Sequence, residues 1–208
     1  MELRLGSHAF SISDFIIYVA DVDADAMPRA AQLAEVAPDP ELVTRVRTEH
    51  PDLVIAVAAP TPIAHACVEA GAALLVGDHL TTVAAATGSG LVSSEPEHAI
   101  SQGVRPDGLI VEARSVSDAE EHVRSGHPVL VTPASASGVG SPSTRVPAAP
   151  ATSDTDAAAL AAVTVYAWMG ARIFRVPARD AAATRESLDM IASIKGSRPP
   201  SVSRRGLV

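Results

Sequence analysis

The chain has few of the residues that carry redox chemistry. One of its 208 residues is cysteine, Cys67, and aromatic residues make up 3%. Because a single cysteine cannot pair within the chain, an internal disulfide is excluded, and a reducing cytoplasm is the expected setting. Cys67 lies in the segment Ile63–Val68, on the apolar face of a predicted helix.

Long apolar runs and clustered positive charge are also missing. No apolar stretch reaches the about 18 residues that a membrane-spanning helix needs, and the N-terminus lacks a charged segment followed by an apolar run. The formal net charge is −8, which disfavours nucleic acid and anionic membranes, since both attract clustered Lys and Arg. We therefore expect a soluble, unexported protein that binds neither.

The C-terminal segment 195–208 is the exception to this acidic character. It contains Lys195, Arg198, Arg204 and Arg205 and no acidic residue. A basic terminus that also contains Ser and Pro is typical of a solvated, disordered end. With 47% hydrophobic residues in the chain, residues 1–194 are enough for one domain with a sizeable core.

Short apolar runs alternate with helical segments along most of that domain. Two short alternating runs on either side of Gly6-Ser7 predict a β-hairpin. Phe15–Ala20 is then a continuous β-branched and aromatic run, typical of a strand buried on both faces. The strand and helix repeats that follow predict parallel βαβ units. The further predicted strands are Leu53–Val57, Ala73–Val76, Gly90–Val92, Gly108–Val111, Pro128–Val131 and Arg172–Val176.

Two stretches do not follow this repeat. Asp39 and Pro40 predict the start of a helix that runs to Glu49, which leaves Met27–Val36 room for a helix or a strand but not for both. Pro133–Ala151 is too long for an ordinary loop after a strand, and its role stays open.

The last quarter of the chain carries a family resemblance. Asp156–Gly170, Ala171–Val176 and Ala183–Ile191 resemble the closing helix, strand and helix of dihydropteroate synthases, the pterin-binding barrel enzymes of folate synthesis. The resemblance implies an α/β fold, a (β/α)8 TIM barrel of the pterin-binding type with an N-terminal β-hairpin. Such barrels usually have about 250 residues, so we expect a trimmed or incomplete one, with seven strands as one alternative.

The same resemblance points to four remnants of a substrate site. Asp21 stands where the family has the asparagine that helps bind metal and pyrophosphate, and as a carboxylate it could still hold Mg²⁺. Asp78 stands in the family's Asn-Asp motif, and Glu112 replaces the aspartate of Asp-Pro-Gly; both are candidates for the pterin ring. Arg175 is what remains of the anion site at Arg-Val-His.

Most of the remaining substrate motifs are lost. Ala58 replaces a pterin-binding aspartate, Ala134–Ala136 replaces the Ser-Arg-Lys loop, and Pro177 replaces the histidine after Arg175. The family's Asp-Val-Gly-Gly-Glu-Ser-Thr-Arg-Pro-Gly segment has no counterpart. Losing one preorganised charge donor typically costs about 3 to 4 kcal/mol of transition-state stabilisation, so several losses leave little basis for catalysis.

Other candidate motifs are weak. Asp78-His79 could begin a metal site, but no second histidine has convergent spacing, so a hydrogen-bonded or surface His79 is favoured. Asp21, Asp23 and Asp25 alternate like ligands of a divalent ion yet lack the Gly and Glu of an EF-hand, which favours solvated loop acids. Gly88-Ser-Gly90 precedes a strand, whereas phosphate-binding glycines follow one.

The helix that ends at Gly170 is unusually apolar. Ser153 or Asp154 is its predicted N-cap, and no charged residue occurs between Asp156 and Arg172. The resemblance implies a dimer interface on the family's C-terminal helices. We therefore expect Tyr166 or Trp168 to be buried against a second copy of the chain or against an active synthase.

These observations predict a non-catalytic dihydropteroate synthase-like protein that acts as a binding or partner subunit, with no cofactor or with Mg²⁺ alone. One alternative is a transferase that still joins a pterin pyrophosphate to p-aminobenzoate. Another is an enzyme that acts on a different small substrate through Asp21, Asp78 and Glu112.

Overall fold

The computed structural model describes residues 2–11, 13–20, 22, 27–133 and 157–197. The predicted helix N-cap at Ser153 or Asp154, most of the Pro133–Ala151 loop and residues 198–208 of the predicted tail lie outside these ranges.

The chain opens with the predicted β-hairpin. Strands β1 (Glu2–Leu5) and β2 (His8–Ser11) pair in antiparallel fashion around Gly6, whose φ of 59° suits a glycine. The side chains of Leu3 and Leu5 are buried among residues from inside the barrel. The hairpin therefore closes the end of the barrel at which the strands begin.

Eight parallel strands form a closed barrel, in which β10 pairs with β3 to complete the ring. This confirms the predicted fold class, and the alternative with seven strands is wrong. The barrel strands are β3 (Ile16–Ala20), β4 (Leu33–Val36), β5 (Val54–Val57), β6 (Leu74–Val76), β7 (Gly90–Ser93), β8 (Leu109–Ala113), β9 (Val129–Val131) and β10 (Ile173–Pro177).

Seven helices surround the barrel within the described residues: α1 (Pro40–Glu49), α2 (Thr61–Glu69), α3 (Thr81–Thr87), α4 (Pro96–Ser101), α5 (Val116–Arg124), α6 (Ala157–Met169) and α7 (Ala181–Ile194). None of them connects β3 to β4. The ambiguous segment Met27–Val36 therefore contributes a strand, at Leu33–Val36, and its described residues contain no helix.

Side chains of each strand alternate between the inside of the barrel and the layer beneath the helices. On β3, Tyr18 belongs to the inner cluster, whereas Ile17 and Val19 belong to the outer one. Residues of the two clusters are almost completely buried, which explains why the strands read as continuous apolar runs.

Local sequence signals set the ends of several helices. The Asp39 side chain accepts a hydrogen bond from the Glu41 amide, which confirms the predicted cap of α1. Gly170 ends α6 with a φ of 117°, and a Cβ there would lie 2.7 Å from Val123 Cγ1. Glycine is required at this position by both its backbone conformation and the close approach of α5.

The end of α7 is attached to the end of α6. Lys195 Nζ donates to the carbonyl oxygens of Ala167 and Trp168, at 3.1 and 2.7 Å, and lies over the Trp168 ring. Burial, followed by the charge of Arg172, lowers the pKa of Lys195. The cation thus stabilises the carbonyl groups at the C-terminus of α6, of which that of Ala167 also accepts a weak bond from the Gly170 amide.

The connection without a helix is braced by polar side chains. Gln32 Oε1 accepts from the Ile17 amide at 2.9 Å and from Arg185 of α7 at 2.8 Å. Arg185 also donates to the Phe15 carbonyl at 3.1 Å. These bonds join β3 and the residue before β4 to the closing helix. No described helix has the length and apolar composition that a bilayer crossing would require.

We expect Arg185→Met to lower the free energy of unfolding by about 2 kcal/mol, because hydrogen bonds to a charged group contribute about 1.5 to 3 kcal/mol. Urea denaturation measures this change. Glu186→Met, an exposed position on the same helix, is the control and should change stability by less than about 0.5 kcal/mol. Equal effects of the two substitutions would contradict the bracing role of Arg185.

Candidate functional site

The candidate site lies at the end of the barrel where the strands finish. Loops after the strands of a (β/α)8 barrel build its sites at this face. A cleft of about 560 Å³ opens there between the ends of β3, β9 and β10 and the starts of α6 and α7. Its wall is largely apolar, and Arg175 is one of its polar residues. The size is typical of a small-molecule pocket.

Arg175 does not face this cleft as a free cation. Its guanidinium donates to Glu35 Oε2 at 2.5 Å, and the Tyr18 hydroxyl donates to the same oxygen at 2.6 Å. The guanidinium carbon also lies 5.4 Å from the centre of the Tyr18 ring. Three neighbouring strands, β10, β3 and β4, supply one member each of this polar cluster, which consists of Arg175, Tyr18 and Glu35.

The polar cluster of Tyr18, Glu35 and Arg175 is shielded from solvent. The side chains of Glu35 and Arg175 are 9% and 23% exposed, and Tyr18 is fully buried. Burial, followed by the negative charge of Glu35, raises the pKa of Tyr18 well above its ordinary value, so the phenol stays protonated and donates. Removing one partner from such a buried ion pair costs about 3 to 5 kcal/mol. The positive charge of Arg175 is thus compensated by the carboxylate of Glu35 and not by a ligand.

Glu35 was missed in the sequence interpretation, which left Met27–Val36 undecided and found no counterpart of the family's second-strand motif. The available signal was a single carboxylate in the otherwise apolar run Leu33–Val36. A charge that is buried in a strand needs a partner, but the sequence does not say which residue supplies it.

Asp78 is also held by the chain itself. Its Oδ1 accepts from Ser93 Oγ at 2.5 Å and from the Ser94 amide at 2.9 Å, and its Oδ2 accepts from Ser94 Oγ at 2.7 Å. Burial alone would raise the pKa of Asp78, but these hydrogen bonds and the nearby Arg114 together hold it below its ordinary value. The carboxylate is ionised and has three donors before any ligand arrives.

The other predicted site residues are placed differently. Glu112, near the end of β8, is partly buried, and its side chain makes neither a hydrogen bond nor an ion pair within the described ranges. Its charge still acts on Tyr18, whose pKa it helps to raise. His79 Nε2 lies 3.0 Å from the Ala59 carbonyl oxygen, which agrees with the expected hydrogen-bonded histidine. Asp21 lies outside the described residues.

The lost motifs sit where the strands end. Ala58 directly follows β5, and Pro177 is the last residue of β10. Neither provides a charge, and the segment Ala134–Ala136 lies outside the described residues. Within the ranges that the structure describes, no three His, Cys, Asp or Glu side chains come together as metal ligands. Residues 21 and 23–26 stand outside that search, so the predicted Mg²⁺ ligand remains a prediction.

Two further oxygens in the cleft wall have no hydrogen-bond partner among the described residues: Asp180 Oδ1 and Thr184 Oγ1. Both atoms are buried, at the first turn of α7 and just before it. The other oxygen of Asp180 lies 3.8 Å from Arg179. An unpaired buried oxygen costs about 1 to 3 kcal/mol, so this corner of the cleft is a locally unfavourable part of the fold.

We expect Asp78→Ala to lower the free energy of unfolding at neutral pH by about 1 to 3 kcal/mol, because the Ser93 and Ser94 donors lose their acceptor. Since folding lowers the pKa of Asp78, its contribution is full above the unfolded value of about 3.9 and is lost as the pH falls through the folded value. The difference from the wild type should therefore shrink in acid. Exposed Asp52→Ala is the control in urea titrations. A variant as stable as the wild type would mean that Asp78 is free for a ligand.

The comparison with curated proteins gives a short match to relatives that are named inactive dihydropteroate synthase 2. No protein-family model matches the chain. Over 48 residues, which is 23% of this chain, it is 54% identical to the inactive dihydropteroate synthase 2 of Mycobacterium tuberculosis (strain H37Rv) and of Mycobacterium bovis. The match spans only 14% of that relative's own length.

The comparison with solved structures covers almost the whole chain. Mycobacterium tuberculosis Rv1207 superposes with a TM-score of 0.72 at 25% identity, covering 96% of this chain and 99% of that one. Yersinia pestis dihydropteroate synthase gives 0.71 at 14% identity, over 94% of this chain and 100% of that one. The Thermus thermophilus enzyme in complex with 4-aminobenzoate gives 0.69 at 17% identity, over 93% and 100%.

The similarity in fold therefore extends over almost the whole chain. The similarity in sequence extends over 48 residues and is to a relative that is named inactive. The substrate motifs agree with this division, since the scaffold is kept and most of the charged groups are replaced or bound internally. The chain folds as an eight-stranded parallel barrel like that of dihydropteroate synthases, and over 48 residues it is similar to a relative named inactive dihydropteroate synthase 2.

Proposed function

We propose that this chain is a non-catalytic dihydropteroate synthase-like protein that acts as a binding or partner subunit in the cytoplasm. The observation that carries the proposal is the bond between Arg175 and Glu35. A transferase that releases pyrophosphate must stabilise negative charge on the leaving group with preorganised donors. Among the residues that the structure describes at the barrel mouth, Arg175 is the most buried arginine, and it already has a carboxylate partner.

The second surviving acid supports the same conclusion. An aspartate that holds a heterocycle must offer its oxygens to ring N–H groups, but both oxygens of Asp78 are already hydrogen-bonded to Ser93 and Ser94. Three of the about four acceptor sites of the carboxylate are thus occupied, so a ring that needs two of them would have to displace a serine donor. The short match to a relative named inactive dihydropteroate synthase 2 is consistent with this interpretation.

The partner role rests on the outer surface of α6 and α7. On α6 the exposed residues Ala161, Val165 and Trp168 follow the spacing of one helical face, and Val165 and Trp168 are 55% and 58% exposed. On α7, Met190 and Ile194 are exposed to a similar degree. Exposed large apolar residues that share a face mark interaction surfaces.

These residues define a C-terminal apolar face, formed by Ala161, Val165 and Trp168 of α6 with Met190 and Ile194 of α7. The two helices end side by side, because Lys195, which follows Ile194, donates to the Trp168 carbonyl. Tyr166 packs partly against the core, so Trp168 is the aromatic residue available to a partner. We propose a second copy of the chain, or an active synthase of the same fold, as the occupant.

A second candidate function is favoured by Glu112. This partly buried acid has no partner within the described ranges and lies near the end of β8, at the mouth of the barrel. A free carboxylate there could hold the N–H groups of a pterin or act as a general base on another small substrate. This alternative is a dihydropteroate synthase-like transferase, or an enzyme of different specificity, that relies on Glu112.

The non-catalytic proposal predicts no condensation of hydroxymethylpterin pyrophosphate with p-aminobenzoate in the presence of Mg²⁺. Product formation should stay at the level of a no-enzyme control, because Arg175 and Asp78 are bound internally and Ala58 and Pro177 provide no replacement. An active synthase assayed under the same conditions is the positive control. Turnover by the purified protein that is abolished by Glu112→Gln would favour the enzyme alternative.

The partner proposal predicts that the wild type associates and that Val165→Glu does not, because a carboxylate would have to be buried in the apolar interface. Light scattering at tens of micromolar should show association of the wild type, either as a multiple of the 21.3 kDa monomer mass or as a complex with an added synthase. Val165→Glu should stay monomeric under both conditions. Val116→Glu is the matched control, since Val116 is 49% exposed at the start of α5, away from the C-terminal apolar face. A monomeric wild type, alone and in the mixture, would refute the partner role.

A further inference from the structure

Among the described residues at the barrel mouth, the arginines at or just after strand ends are each paired with an acid. Within the described ranges, three arginines at the ends of β8 and β10 lie within 4.0 Å of a carboxylate: Arg175 with Glu35, Arg179 with Asp180, and Arg114 with Asp78. Glu112, which is partly buried near the end of β8, has no such partner, and neither does exposed Glu95 after β7. The described mouth therefore carries no uncompensated positive charge.

The three pairs are not equivalent. The side chains of Arg114 and Arg179 are 72% and 65% exposed and stand 4.0 and 3.8 Å from their acids, so solvent weakens both interactions. Arg175 and Glu35 are largely buried and in direct hydrogen-bond contact, where screening is slight. Arg175 is thus the cation that could bind an anion strongly, and Glu35 is the group that prevents it.

Arg175 would otherwise be well placed for such binding. It lines the cleft of about 560 Å³, and the first residues after β10, Ala178 and Arg179, line the same cleft. Glu35 lies on the inner side of β4 and contacts the guanidinium there. An anionic ligand would reach the same guanidinium from the cleft. An incoming phosphate would have to displace Glu35 or share Arg175 with it, and two anions at one guanidinium repel each other.

We propose that Glu35 is the specificity-determining residue of the barrel mouth. It acts as a permanent internal ligand of Arg175, which restricts the mouth to uncharged or cationic ligands that offer N–H or O–H donors and excludes phosphorylated ones. Glu112, whose charge is uncompensated, strengthens this preference. Glu35 thereby turns a mouth that would attract anions into one that repels them.

The test is the binding of inorganic phosphate and of pyrophosphate to the purified full chain, measured by titration calorimetry without Mg²⁺. The wild type should show no binding up to about 10 mM, whereas Glu35→Gln should bind at least about tenfold more tightly. The double variant Glu35→Gln/Arg175→Met should lose the gain, because the anion then has no cation to bind.

Glu112→Gln is the matched control, since it removes one negative charge from the same mouth and leaves the bond between Glu35 and Arg175 intact. Its gain in phosphate affinity should stay below about threefold. A gain equal to that of Glu35→Gln would overturn the proposal, because general charge and not the release of Arg175 would then govern binding. Phosphate binding by the wild type as tight as that of Glu35→Gln would overturn it as well.

Glu35→Gln leaves a buried arginine without its counter-ion and will be less stable than the wild type. Should it unfold in calorimetry buffer, thermal denaturation with and without phosphate provides the second measurement. A ligand present at about 100 times its dissociation constant stabilises the folded state measurably, so phosphate should raise the melting temperature of Glu35→Gln but not that of the double variant. No rise in either would refute the proposal. The assay contains neither pterin nor partner, so its failure leaves the proposed partner role intact.

Discussion

Closure of the sheet between β10 and β3 is the constraint on which the rest of the structure depends. A closed ring leaves no strand edge, so every strand is paired on both sides and inner side chains must fill a space without water. In the lower part of the barrel this space is filled by apolar residues and by the hairpin leucines. Near the mouth it contains Tyr18, Glu35 and Arg175 from three adjacent strands. Because a buried charge needs a partner, closure brings the acid and the arginine together.

This internal pairing changes what the mouth can do. A catalytic barrel keeps charged groups at its mouth for the substrate and its transition state. Here Arg175 and Asp78 are held by Glu35 and by two serines, so the groups that look like remnants of a site now serve the stability of the fold. Large apolar side chains are exposed elsewhere, on α6, where Val165 and Trp168 lie, and on α7. The proposed function rests on this contrast between a mouth whose charges are paired and outer helices whose apolar side chains are exposed.

The connection between β3 and β4 contains no helix among its described residues, and other contacts hold these two strands in place. The outer residues of both strands remain buried, and Met27 and Ala31 pack against that layer. Gln32 and Arg185 supply hydrogen bonds that join this connection to α7. The closing helix thus holds together the part of the barrel that lacks a helix of its own.

The sequence by itself determined the hairpin, most of the strands, the cap at Asp39 and the absence of the substrate motifs, because these depend on residues that are close in the chain. Periodicity and turn chemistry are local signals. It could not decide whether Met27–Val36 held a strand, since one short apolar run fits either element, and it could not show that Val165 rather than Val163 faces outward. Only the tertiary structure decided the state of the site. Glu35 and Arg175 are 140 residues apart, and their pairing follows from the closure of the ring, which no local pattern reveals.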